Sequence, residues 1–432
     1  MIEFTQAMSS QPPDGGWGWV VVGASFYCNF ILNGIIFSFG ILLTPLADHF
    51  QVKRSTIAWS GSIVTGLFLG SGPLVSYQIR RFGCRPVSMA GSLLAALGMC
   101  LSSSSSSIDA FIVTYGIMSG LGFGMVYLPS LVICGLYFDK KRALATGIAL
   151  CGSGTGGLVL LPLSTSLLHH FGWQGAIMCF SGLCLSCFFV SILMRPVTLI
   201  SNVEDDHEGQ EGPMVIPIER HENEATYVDL RRDPLFLLMC FSNLFAYLAA
   251  YNPFIFLPDL MASKGVTKEA GSLIISGIGI STIVGRISLG AFIDHPRVSS
   301  LLVSCLSVSI TGLIVMFLPF CSNLLGFTLV TLAFGFAAAP FFSFPSVVLV
   351  DLLGLPRLTD ALGFLNVFIG LGATLGPPIG GFLLEHTGGF LWPFVFTGIL
   401  LLMAGLATKL TYLLEKKRHS SNSTIETDIQ SV

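Results

Sequence analysis

Arg286 lies midway along an apolar run, and no other Lys, Arg, Asp or Glu falls deep within any such run. A charge at the centre of a membrane-spanning helix costs at least about 2.5–3.5 kcal/mol on the insertion scale, so it normally faces a cavity and meets a partner. A guanidinium presents forked N–H donors that match a carboxylate in bidentate fashion. The chemistry on offer is therefore anion recognition. The structural alternative is a pairing with a backbone carbonyl or a helix-end acid. Asn29 and Asn33 stand one turn apart on one helical face, where two amides can donate toward a cavity or across a packing seam. The string Pro340-Phe341-Phe342-Ser343-Phe344-Pro345 places two prolines five residues apart. Each removes a backbone donor, so a break or kink is expected there. Phe341 and Phe344 beside it can line a pocket or simply pack.

Other chemistries are excluded by what these runs lack. None carries paired acids, a histidine cluster or a nucleophile beside a base, so no enzyme is expected. Gly152, Gly154 and Gly156 are followed by no phosphate-binding lysine, and their expected role is close helix packing. The eleven cysteines are scattered through apolar runs with no metal-ligand or disulfide spacing. No cofactor, metal or nucleic acid is implied.

The elements that must position Arg286 are set by composition. Of 432 residues, 53% are hydrophobic and only 10% charged, with mean hydropathy +0.79. A soluble domain usually carries about 25% charged residues, so the expected solvent is lipid. A bilayer core of about 30 Å needs roughly 20 apolar residues per helix. Twelve segments meet that length: 17–43, 56–79, 86–106, 110–137, 143–168, 173–194, 234–258, 270–293, 298–320, 323–350, 360–384 and 388–411. The expected fold is an all-α membrane protein in two six-helix halves, 1–196 and 234–414. They are joined by an acidic linker, 197–233, and followed by a polar tail, 415–432. Both the linker and the tail are expected to be irregular. The run from Trp17 is too long for the apolar core of a signal peptide and reads as a retained span. With both termini inside, cytoplasmic segments hold sixteen of the 21 Lys and Arg residues and outside loops four. That bias fixes the expected orientation.

Two strings are more specific. Asp14-Gly15-Gly16-Trp17-Gly18-Trp19 precedes the first span; its indoles suit the membrane interface. Tyr137-Phe138-Asp139-Lys140-Lys141-Arg142-Ala143-Leu144-Ala145-Thr146-Gly147 opens the fifth. Together with Arg81-Phe82-Gly83-Cys84-Arg85-Pro86 and Leu375-Gly376-Pro377-Pro378, these strings resemble the signatures of the monocarboxylate transporter family. The six-plus-six arrangement likewise resembles the major facilitator architecture, in which two halves rock about a midplane site.

The resemblance implies a plasma-membrane carrier of small monocarboxylates or related organic anions working by alternating access. It also implies H+ symport as the family default, and a single-span immunoglobulin-like chaperone as ancillary partner. It makes Arg286 the carboxylate anchor. Asn29, Asn33, Phe37, Thr282, Phe341 and Phe344 are expected around the substrate, and Lys141, Arg142 and Arg81 in the conformational change. Two departures bear on coupling. Proton-coupled members carry an aspartate one turn before the arginine, where this chain has Thr282. They also carry a lysine in the first span, whose nearest match is Phe37. Anion recognition survives these changes better than proton coupling does. A receptor that senses its ligand without transporting it is the alternative function.

Overall fold

Long apolar helices dominate the computed structural model, which describes residues 14–196, 198–200, 215–217 and 230–430. Ten helical segments among these are long and apolar enough to cross a membrane. The first half contains α1 (Trp17–Phe50), α2 (Arg54–Gly70), α3 (Gly72–Phe82), α4 (Cys84–Ser103), α5 (Ile108–Phe111), α6 (Gly120–Tyr137) and α7 (Arg142–Ser191). A π-helical stretch, Ile112–Ser119, joins α5 to α6. The second half contains α8 (Pro234–Ala250), α9 (Asn252–Ser263), α10 (Lys268–Ile293), α11 (Ser300–Phe317), α12 (Leu324–Ser343), α13 (Pro345–Leu353), α14 (Leu358–Thr387) and α15 (Leu391–Gln430).

Several helices break where the local chemistry demands it. The 50-residue α7 turns back at Gly172, whose φ of 67° suits a residue without Cβ, so it comprises two legs. Gly83, at φ 90°, makes the reversal between α3 and α4. The second span is divided at Ser71 and the seventh at Tyr251, where Pro253 opens α9 without needing its missing N–H. The proline pair of the tenth span breaks it as expected: α12 stops at Ser343 and Pro345 starts α13. Ser307 on α11 completes this kink. Its hydroxyl donates to Ala337 O at 2.6 Å and accepts from Phe341 N at 3.2 Å, so it is inserted into the turn where those two groups would otherwise pair.

Two expectations are corrected. The tail does not leave the helix at Leu414, because α15 runs on to Gln430. No Gly or Pro follows to stop it, and Glu415, Lys416, Lys417 and Arg418 are good helix formers. The linker contains a short antiparallel ribbon, Thr198–Ile200 (β1) against Val215–Pro217 (β2). Its acidic cluster, Glu204 to Glu211, lies outside the described residues.

Within the first half, the glycines of α7 bring it against α1. A Cβ at Gly152 would overlap the carbonyl of Phe26, and one at Gly156 the carbonyl of Phe30. Such backbone-to-backbone approach supplies dispersion contacts where lipid gives little hydrophobic drive between helices. The two halves meet along two seams. The first leg of α7 lies against α10, with Gly147 beside the Arg286 carbonyl and Gly290 beside the Ala143 carbonyl. On the other side, α2 and α3 lie against α14, with Gly72 beside the Gly363 carbonyl.

Candidate functional site

A cavity of about 930 Å³ opens between α1, the first leg of α7, α9 and α10. Its mouth is at the end bearing the α9–α10 turn and is polar, with Asp259, Thr267 and Ser272. Its floor contains Arg286, Thr282 and Ser153. On α10 the lining residues Gly271, Ile275, Gly279, Thr282 and Arg286 follow each other at three- and four-residue steps, so one face of one helix runs from mouth to floor. From Ser272 to Arg286 that face descends about 21 Å.

Arg286 belongs to the second half but bonds to the first. Its Nη1 donates to the Leu150 carbonyl and, at 2.8 Å, to Ser153 Oγ, both on α7. Its Nε has no hydrogen-bond partner although it is shielded from solvent. One edge of the guanidinium is therefore spent on the α7 backbone, while the edge carrying Nε retains free donor capacity. An unpartnered, charged donor of this kind matches a carboxylate acceptor. Tyr127 and Tyr247 lie within electrostatic range of the same guanidinium. Thr282 Oγ1 sits 2.7 Å from Ile278 O and 3.2 Å from Gly335 O, two acceptors for its one proton. Phe37 lines the cavity with its ring against Gly157.

The structure thus brings Arg286, Thr282 and Phe37 together and places the other candidates elsewhere. Asn29 is fully buried, and its Nδ2 donates to Ser25 O at 2.9 Å and to Ser130 Oγ at 3.2 Å, tying α1 to α6. Asn33 donates to Asn29 O at 3.1 Å. Phe341 is buried in the core of the second half, against Phe342 with ring centroids 5.4 Å apart. Phe344 packs with Ala143, Ile293 and Val347. For these four, packing is what the observed contacts describe. Asp259, Tyr251 and Ser153 were missed in the sequence. Asp259 was hidden because α9 carries the seventh span beyond residue 258, and Tyr251 because the break there is not signalled by hydropathy.

The opposite end is closed. Asp294, at the end of α10, accepts N–H groups of Ala143 and Leu144 at 2.8 and 2.9 Å, and so caps the first turn of α7 from the other half. Burial lifts its carboxyl above the usual range, against the pull of those two N–H groups and of Arg142. Arg80 Nε lies 3.2 Å from Asp360 Oδ1 and joins α3 to α14. The residues expected to govern gating, Arg142, Arg81 and Lys141, lie near this end. Arg142 is buried, donating to Phe138 O at 3.0 Å and to Asp139 Oδ1 at 3.0 Å, so it staples the α6–α7 turn while its charge reaches Asp294 across the seam. Arg81 is exposed and sits over the Phe82 ring, 5.5 Å from its centroid. Lys141 is exposed at the start of α7.

The two signature strings touch. Asp14 accepts from the backbone N–H groups of Asp139 and Lys140 at 2.8 and 3.0 Å. Trp19 lies 5.0 Å from the Phe138 ring, and a Cβ at Gly18 would meet that ring at 2.9 Å. Trp17 donates to Leu193 O at 3.0 Å under the Arg195 guanidinium, 4.1 Å from the ring. An interfacial anchor is only part of the string's role; it also fixes the entry of α1 against the α6–α7 turn.

Comparison with known proteins bears on the fold and the family. The Major Facilitator Superfamily model matches residues 25–353 and 239–431. Monocarboxylate transporter 13 of Bos taurus is 30% identical, covering 92% of this chain and 89% of its own length. Monocarboxylate transporter 3 of Rattus norvegicus is 31% identical over 93% and 81%, respectively. Among solved structures, the human organic anion transporter MFSD10 superposes with a TM-score of 0.67 at 16% identity, covering 92% of this chain and all of that one. At that identity the likeness is one of fold.

Proposed function

We propose, from the premise that this chain belongs to the monocarboxylate transporter family of the Major Facilitator Superfamily and is a membrane transporter, that its cargo is a small organic anion bearing one carboxylate. The observation that carries this reading is the guanidinium of Arg286 at the cavity floor, with Nε unpartnered. A carboxylate entering from the mouth meets these donors in a setting poor in competing water, where charge-assisted bonds are strongest.

Alternating access follows from how the ends are held. Twelve traverses arise when Gly172 divides α7 and when α2 with α3 forms one broken span. With both termini in the cytoplasm, the cavity opens outward, and Asp294 and the Arg80–Asp360 bridge close the inside. Arg286 spans the halves through Leu150 and Ser153. A substrate bound to its remaining edge therefore sits where the seam must part. Coupling is read as facilitated diffusion, because the position one turn before the arginine offers the Thr282 hydroxyl, which does not titrate. The plasma membrane is the proposed location, with a single-span immunoglobulin-like chaperone as the proposed ancillary partner; family resemblance supports both.

The test is uptake of a carboxylate panel into proteoliposomes, with and without an imposed pH gradient. Carboxylate uptake that is saturable and insensitive to the gradient is expected. Binding without accumulation or exchange would mean a receptor, and gradient-driven accumulation would mean symport.

A further inference from the structure

Between the polar floor and the polar mouth, the cavity wall is mainly apolar, interrupted by Tyr251, Thr165 and by Ser276, whose hydroxyl is spent on the Ser272 carbonyl. Phe37 stands on α1, Leu158 and Leu161 on α7, Phe254 and Ile255 on α9, and Ile278 on α10. The cavity is also widened by missing side chains, since Gly154, Gly157 and Gly279 all line it. An acid the size of lactate can reach Arg286, but it leaves this belt wet. It also gains little from a floor whose other polar groups are already committed: Ser153 Oγ accepts from Arg286, and the Thr282 proton has two backbone carbonyls to choose from. An apolar body attached to the carboxylate would remove the belt from water, and that transfer is what such a wall rewards. At about 930 Å³ the space is near the upper end of the range for drug-sized ligands.

Resting on the carboxylate-anchor reading above, we infer that this cavity selects monocarboxylates with a bulky apolar body, aryl or medium-length alkyl, over short polar acids. Arg286 holds the carboxylate at the floor, and the tail points toward the mouth along the Phe37, Leu158 and Phe254 wall. Selectivity then comes from tail burial and not from the charge. Tails should cease to help once they reach Asp259, Thr267 and Ser272.

The test is competition for uptake by the full chain in proteoliposomes, using straight-chain carboxylates from acetate to octanoate, then lactate and 3-phenylpropanoate. Affinity should rise about fourfold per added methylene throughout this series, whose tails end short of the mouth, with 3-phenylpropanoate at least a hundredfold tighter than lactate. A flat series, or lactate binding as tightly as 3-phenylpropanoate, overturns this inference and leaves the anchor reading standing. If octanol and octanamide compete as well as octanoate, or if no carboxylate of any length competes, the anchor reading fails, and this inference with it. Gly154→Leu and Gly279→Leu fill the same space from two sides. A Cβ at either position meets its nearest neighbour at 3.6 Å, an ordinary contact, so both variants should insert. Each should weaken 3-phenylpropanoate about tenfold while leaving acetate within twofold. Equal weakening of both acids counts against tail burial. Should either variant fail to insert, the wild-type chain-length series decides alone.

Discussion

Removing the Arg80 guanidinium should open the cytoplasmic side. In the closed arrangement the Asp360 side chain is 5% exposed and that of Arg80 23% exposed, 3.2 Å apart across the halves. Taking one partner from a buried ion pair costs about 3–5 kcal/mol. Solvent reaches part of Arg80, so about 2–3 kcal/mol is the appropriate scale here. The loss falls on the closed state alone, because Asp360 is hydrated once α3 and α14 separate. Arg80→Met should therefore raise the inward-open population relative to the closed one by about 30- to 150-fold. The assay is labelling by an impermeant maleimide in inside-out vesicles. The reporter is Ala143→Cys, at a residue now fully buried in the α7–α10 seam. Cys100, Cys179 and Cys321, the three cysteines that are not buried, are replaced by serine. Arg80→Met/Asp360→Leu removes the buried carboxylate as well, so labelling should return most of the way to the wild-type rate. Labelling of Arg80→Met within twofold of wild type, with the protein inserted, would refute the latch. So would equal rates for the single and double variants.

Three further outcomes are expected. Thr282→Asp should make uptake rise with external acidity: ionised, the new carboxylate competes with substrate for Arg286, and protonation releases the arginine, so a flat pH profile would separate position 282 from the anchor. Gly156→Val should reduce folded protein severely, because its Cβ would occupy the place of the Phe30 carbonyl; normal yield and thermal stability would show that α1 and α7 can separate without penalty. Epitope tags at residue 1 and after Val432 should be reached by antibody only in permeabilised cells, and staining of intact cells would reverse the orientation.

The spans were legible because each repeats one physical requirement, about 20 apolar residues without charge. Their ends were less so. Hydropathy does not register that α1 continues past Pro45 to Phe50, where Leu46 and Ala47 pack into the core, or that α15 runs past Leu414, where helix propensity carries the chain. Arg286 was legible as an isolated charge, and the cavity face of α10 could have been traced from it by helical steps back to Gly271. What joins distant segments left no local mark. Arg80 and Asp360 are 280 residues apart, and nothing beside either announces the other. Asp14 seemed only to precede two indoles, yet its carboxylate binds the turn at Asp139 and Lys140. Asn29 illustrates the opposite case: an amide inside a span invites a ligand, but its donors are taken by Ser25 and Ser130.

The role of Arg286 is tested most directly by carboxylate affinity in the purified chain and two variants at that position. Arg286→Lys keeps the charge and loses the planar fork, and charge-assisted hydrogen bonds contribute roughly 1.5–3 kcal/mol. Its affinity should fall about ten- to a hundredfold, and Arg286→Gln should abolish carboxylate binding and uptake while still inserting. Wild-type affinity and uptake in an inserted Arg286→Gln would show that the guanidinium only ties α10 to α7, and that the carboxylate binds elsewhere.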